Sequence, residues 1–131
     1  MSFQGTVIAL QGFTGSIYAQ GFAFNGCPNL ITVDMGTQVQ RIVNHFFNGA
    51  SKLNTLIIRS AYVATLQHIN AFSNTPFADG KAGGALYVPA DLIETYRASS
   101  NWSTLLGYEN NSIHAIEGSI YENAYADGTP I

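Results

Sequence analysis

Charged residues are scarce in this chain of 131 residues. Asp, Glu, Lys and Arg together make up 10% of the sequence, and no charged side chain precedes Asp34. An average soluble domain has about 25% of such residues. The five basic residues are dispersed and the net charge is −3, so no basic cluster is present that would neutralise phosphates. We therefore do not expect nucleic acid as a partner.

Long apolar runs are missing as well. No stretch approaches the roughly 18 apolar residues that a membrane-spanning helix needs, so no membrane insertion is expected. The first residues lack the basic and apolar regions of a secretory signal, which weighs against a secreted adhesin. Cysteine is nearly absent: Cys27 stands alone and cannot form an intramolecular disulfide. We interpret it as a buried structural residue.

Sequence motifs for catalysis are absent too. The chain has no nucleophile elbow, no phosphate-binding loop and no dinucleotide fingerprint. Its three histidines, His45, His68 and His114, have no Cys, Asp or Glu at ligand spacing, which argues against a zinc site. Asp91 and Glu94 near a predicted helix start are interpreted as helix-stabilising residues. We expect no enzyme activity, no cofactor and no metal.

An internal repeat is the most informative pattern that is present. Residues 24–35 align with residues 47–58 at an offset of 23. The positions that agree are apolar or turn-forming, which is typical of units that share a stacked core. Each unit ends in period-two alternation, so Val33 and Met35 should point inward on a short strand. The predicted fold is an α/β repeat, a short solenoid with units of about 23 residues.

Further elements follow from local patterns. Asn25-Gly26 and Asn48-Gly49 recur at the same place in the repeat and predict turns with positive φ. Helical spacing after Pro89 predicts a helix, and Trp102 begins another helical turn. Strands are predicted near residues 6–10, 31–35, 54–59, 61–66, 86–88 and 113–116. We assign residues 1–106 to the solenoid, with a closing strand–helix cap from about residue 86, and residues 107–131 to a C-terminal extension that a partner would order.

Two segments carry a resemblance to a known family. Residues 23–35, with Ala23-Phe24, Cys27 and Leu30 ahead of an alternating strand, resemble the BspA-like bacterial leucine-rich repeat. Residues 86–97 with Asn101-Trp102-Ser103 resemble the segment that closes such arrays in gut-bacterial and phage or prophage proteins. The chain departs from the pattern where Ala50 replaces the second cysteine and where residues 76–84 dissolve the third unit.

This resemblance implies a leucine-rich-repeat-like solenoid with an α/β closing cap. It implies a non-enzymatic structural or interaction module, most simply a phage or prophage virion component of the tail, fibre or head. Such a component would assemble with copies of itself as a homo-oligomer, or with other virion proteins. The alternative is a secreted or surface-anchored bacterial adhesin that binds a ligand on a host or cell surface.

Two surfaces are candidates for these contacts. Solenoids offer an outward strand face to partners, and equal phase in the repeat places Ala9 beside Thr32 and Leu10 beside Val33. The uncharged N-terminal third is the second candidate because exposed aromatic residues favour subunit contacts. Adjacent threonines also make an ordinary strand pair, and Ser, Thr, Asn, Gln and Gly alone could keep the N-terminal third soluble. The binding candidates are Thr32, Asp34, Thr55, Ile57 and Arg59, and the assembly candidates are Phe3, Phe13, Tyr18 and Phe22.

Overall fold

The fold is known from a computed structural model that describes residues 7–9, 27–37, 39–78 and 83–123, with only the backbone of residues 7–9. Within these residues lie seven β-strands and two α-helices. The strands are β1 (Val7–Ala9), β2 (Thr32–Asp34), β3 (Arg41–Ile42), β4 (Thr55–Ile57), β5 (Thr65–Leu66), β6 (Ala85–Val88) and β7 (Ser112–Ala115). The helices are α1 (Ile93–Ala98) and α2 (Trp102–Leu106), and short 3₁₀ turns occupy Ile69–Phe72 and Ala90–Leu92.

The strands form two parallel sheets. The larger sheet has the order β1-β2-β4-β6-β7, and the smaller pairs β3 with β5. Parallel neighbours need crossover connections, and the connection from β6 to β7 contains both α1 and α2. β2 and β4 pair with Thr32 beside Thr55, which confirms that the two repeat copies lie side by side in equal phase.

One face of the larger sheet forms the core. Its central row consists of Val33, Leu56 and Leu86, each with 0% of its surface exposed. Behind this row lies a cluster of aromatic rings, in which Phe72 stacks on Phe47 with ring centroids 5.3 Å apart. Phe72 also contacts Phe77 at 4.9 Å and Trp102 at 6.0 Å.

The helices close this core through aromatic side chains that also satisfy backbone groups. Tyr96 of α1 accepts a hydrogen bond from the Ala64 N–H at 3.1 Å, and the Trp102 indole of α2 donates to the Ala64 carbonyl at 2.7 Å. Asn101 donates to the carbonyl of Leu66 at 2.7 Å. The polar edge beside β5 is thereby paired although no further strand of the described chain extends the smaller sheet.

The turn prediction is confirmed at one of its two sites. Gly49 has a φ of +83°, a conformation that glycine adopts without steric cost. The other glycine of that pattern, Gly26, lies outside the described residues. Cys27 is buried, with 1% of its surface exposed, as its interpretation as a structural residue requires.

The predicted solenoid with 23-residue units and a closing cap is wrong. Along the larger sheet the paired residues are Val7, Thr32, Thr55, Ala85 and Ser112, which lie 25, 23, 30 and 27 positions apart. The offset of 23 therefore describes one pair of strands, because the other connections contain different structures. The fold is a small arrangement of short parallel sheets covered by two short helices.

Two details of that prediction change with it. Val7, not Ala9, pairs with Thr32, and Ile8, not Leu10, pairs with Val33, because the first connection is two residues longer than the repeat. The strand–helix segment from residue 86 does not close the sheet either, because β7 pairs with β6 and makes residues 112–115 part of the same sheet.

Candidate functional site: the outer face and its C-terminal strap

The face of the larger sheet opposite the core holds most of the predicted binding residues. Side chains alternate along each strand, so the residues on either side of Val33 and Leu56 share this outer face. The sheet register brings Thr32 beside Thr55 and Asp34 beside Ile57, and Arg59 follows two residues after Ile57. We call this surface the outer face and define it by Thr32, Asp34, Thr55, Ile57, Ala85, Tyr87, Ser112 and His114.

Three of the predicted binding residues on this outward face are buried. Ile57 has 0%, Asp34 3% and Thr32 8% of its surface exposed, whereas Thr55 and Arg59 are half-buried. Ile57 is covered because the chain after β7 folds back across the sheet. There Ile116 joins Ile57 in a small apolar cluster flanked by Tyr87 and Tyr121. We call residues 116–123 the C-terminal strap.

Arg59 fastens the strap to the sheet. Its Nε donates to Asp34 Oδ2 at 2.9 Å, and the other oxygen of that carboxylate accepts from the Gly36 N–H at 2.9 Å. The outer nitrogens of the guanidinium donate to two consecutive carbonyls of the strap, to Tyr121 O at 2.7 Å and Glu122 O at 3.4 Å. Asp34 thus orients the guanidinium of Arg59, which binds the strap through backbone carbonyl groups.

Aromatic contacts hold the other side of the strap. The ring of Tyr121 packs edge-on against Tyr87, with centroids 4.8 Å apart, and Tyr87 stacks on His114 at 5.0 Å. The Tyr121 hydroxyl is hydrogen-bonded to the side chain of Thr55. Burial, and next the nearby Tyr87, raise the pKa of Tyr121, which the bond to Thr55 partly opposes. Tyr121 therefore remains protonated at neutral pH.

The strap has its own turn structure. The backbone N–H of Ser119 donates to the Ile116 carbonyl at 3.0 Å, and the Ser119 hydroxyl accepts from the Tyr121 N–H at 3.1 Å. Glu117 accepts from the Ala90 N–H at 2.9 Å, which anchors the start of the strap beside α1. Gly118 has a φ of +84° and no atom within 4 Å of where a Cβ would lie. A glycine in the left-handed region thus lies directly after the anchor, and its N–H donates to Glu122 Oε1 at 3.4 Å.

The outer edge of β7 is a second candidate surface. The N–H groups of Ser112 and Ile116 donate to β6 and its flank, to Gly84 O and Val88 O. In a parallel strand the alternate residues direct their backbone groups the other way, so Ile113 and Ala115 face the outer edge. Within the described residues no strand pairs with this edge.

Metal-ligating side chains are not clustered in the described part of the chain. It contains no group of three or more His, Cys, Asp or Glu side chains placed to hold a metal ion. A second phenol, Tyr96, is structural: burial raises its pKa to about 12, opposed in part by its hydrogen bond with Ala64. None of the helices in the described ranges is both long and apolar enough to cross a lipid bilayer.

Two further outcomes concern individual residues. The predicted assembly residues Phe3, Phe13, Tyr18 and Phe22 lie outside the described residues. Sequence reasoning missed Tyr87, His114 and Tyr121 as parts of the site. The outward positions of Tyr87 and His114 follow from alternation within the predicted strands 86–88 and 113–116, whereas nothing in the pattern near Tyr121 indicates a return across the sheet.

The chain was compared with models of protein families, with curated proteins and with solved structures, and none of them matched it.

Proposed function

We propose that this protein is a non-enzymatic structural module that associates with copies of itself within a larger assembly. The observation that carries the proposal is the outer edge of β7. Its Ile113 and Ala115 direct backbone groups away from β6, and no strand of the described chain pairs there. An open strand edge is a template for pairing with another chain.

Composition and exposure support association. The chain has no charged residue before Asp34, so its N-terminal third has none of the charges that keep protein surfaces apart. Two large apolar side chains are prominent on the described surface, Tyr62 with 83% and Ile120 with 76% exposed. Ile120 lies on the strap, five residues after the end of β7.

A phage or prophage virion is the setting that we propose, as a component of the tail, fibre or head. It is supported by the resemblance of residues 86–97 and 101–103 to segments of phage and gut-bacterial proteins. A surface adhesin would need an outer face open to ligands. Burial of Asp34 and Ile57 beneath intramolecular contacts therefore favours the assembly role.

Sedimentation of the purified chain over a wide range of concentration tests the proposal. We expect species above the monomer mass, and their dissociation in Ala115→Pro, which removes an N–H from the outer edge without removing a bond to β6. Ala115→Ser keeps the N–H and is the matched control. Circular dichroism establishes that both variants fold. A wild-type chain that stays monomeric at every concentration would contradict self-association.

A further inference from the structure

The contacts between the outer face and the strap indicate which chemical groups this face binds. Arg59 bonds to two consecutive main-chain carbonyls, and Tyr87 with Thr55 receives one tyrosine ring and its hydroxyl. The ligand is thus a short segment with one aromatic side chain, whose position is set by its backbone. The Asp34 carboxylate accepts hydrogen bonds from Arg59 and from the Gly36 N–H, and neither bond involves the strap. Asp34 therefore holds Arg59 in place whether or not the strap is there.

The way in which the strap is attached permits it to leave. Its anchor at Glu117 and the contact of Ile116 with Ile57 precede Gly118, whereas the contacts of Tyr121 and Glu122 with the outer face follow it. Glycine has access to more backbone conformations than any other residue, and no atom lies within 4 Å of where a Cβ of Gly118 would stand. Rotation there would lift residues 119–123 from the sheet while β7 and its pairing with β6 remain intact.

We propose that the outer face is a docking site for the C-terminal strap of a second copy, so that neighbouring copies are linked by exchange of residues 119–123. This inference rests on the proposed self-association. Exchange restores in the partner the contacts of Tyr121 and Glu122 with the outer face, because both copies carry the same segment and the same face. Exchange of identical elements is a low-cost route to assembly for this reason.

A peptide tests recognition of the strap. A labelled peptide with the sequence of residues 117–123 is titrated into the full-length Tyr121→Ala variant and into the wild type. The variant should bind the peptide about tenfold more tightly, since its own strap has lost the aromatic contact and competes less. In the Tyr121→Ala background, Arg59→Gln should weaken binding about tenfold, because it removes charge-assisted bonds to the peptide carbonyls. A peptide with Ala in place of tyrosine is the matched control and should bind as weakly.

A substitution at Gly118 tests exchange. In Gly118→Ala the closed strap keeps a positive φ that alanine disfavours, and no neighbouring atom adds a clash. We expect the oligomeric fraction measured by sedimentation to rise about threefold or more. Gly118→Asn is the matched control, because asparagine tolerates positive φ better, and it should behave more like the wild type.

The outcomes separate the two proposals. Oligomers that do not respond to Gly118→Ala, together with no peptide binding by Tyr121→Ala, would overturn strap exchange and leave association through the β7 edge intact. A chain that binds the peptide with the expected dependence on Arg59 but is monomeric in all variants would overturn both self-association and a second copy as occupant. Binding that is indifferent to Arg59 and to the peptide tyrosine would overturn the assignment of the docking site.

Discussion

The two faces of the larger sheet are held by different kinds of contact. On the core face, Val33, Leu56 and Leu86 are fully buried against aromatic rings such as Phe72. On the outer face, an ion pair and a tyrosine hold a short strap by a few directed bonds. Burial of apolar area is large and nonspecific, whereas a hydrogen bond contributes a small net free energy and a defined geometry. The first face therefore stabilises the fold, and the second has the properties of a reversible contact.

The largest expected effect is on the core face. Phe72→Ala should lower the free energy of unfolding by about 4 kcal/mol, because the ring is fully buried and contacts Phe47, Phe77 and Trp102. Thr104→Ala, at an exposed position of α2, is the control and should change stability by about 0.5 kcal/mol or less. Urea denaturation followed by tryptophan fluorescence measures both. Equal effects of the two changes would show that the aromatic cluster is not the main source of stability.

The core face could largely be predicted from the sequence. The alternation around Val33 and Leu56 predicts two inward strand positions, and their common offset predicts the neighbouring register of β2 and β4. Helical spacing after Pro89 predicts α1, and Trp102 lies at the start of α2. These features are local, because the period of apolar residues in a strand or helix is set by its own geometry.

The short strands, the lengths of the connections and the strap could not be predicted from local sequence periodicity. β3 has two residues, too few for any period, and the connections between strands differ in length, which the offset of one strand pair does not reveal. The strap was missed for another reason. Arg59 binds carbonyl groups of Tyr121 and Glu122, and because every residue carries a carbonyl, this recognition has no signature in the sequence.

The second prediction concerns pH and the helices over the core. Burial raises the pKa of Tyr96 from 10.0 to about 12, so the unfolded chain loses this proton first as pH rises. The contribution of Tyr96 to the free energy of unfolding is fully present below pH 10. It falls between about pH 10 and 12, by roughly 1.4 kcal/mol per pH unit and about 3 kcal/mol in all. Denaturation from pH 8 to pH 12 measures this decline.

Tyr96→Phe is the control for that measurement. The variant lacks the titrating phenol, so its stability should decline less steeply above pH 10 than that of the wild type. It should also be about 1 kcal/mol less stable at neutral pH, because the buried N–H of Ala64 loses its partner. Parallel pH profiles of the two chains would show that ionisation of another group causes the alkaline loss.

The smallest expected effect concerns the outer face. Arg59→Gln should lower the free energy of unfolding by about 2 kcal/mol, since Asp34 keeps its charge in a buried position and loses its ion-pair partner. Asp34→Asn combined with Arg59→Gln should recover part of this loss, because the uncompensated charge is gone.

Hydrogen exchange separates the two functions of Arg59, its ion pair with Asp34 and its bonds to the strap. In both variants the amide of Tyr121 should exchange faster, because the bonds to the strap carbonyls are lost. Faster exchange at Gly36, whose N–H binds Asp34, is expected only in the double variant, because there the acceptor loses its charge. Unchanged exchange in the strap would show that Arg59 is a partner of Asp34 alone and that the strap is held by Tyr121, in which case the two faces differ only in the size of their apolar contacts.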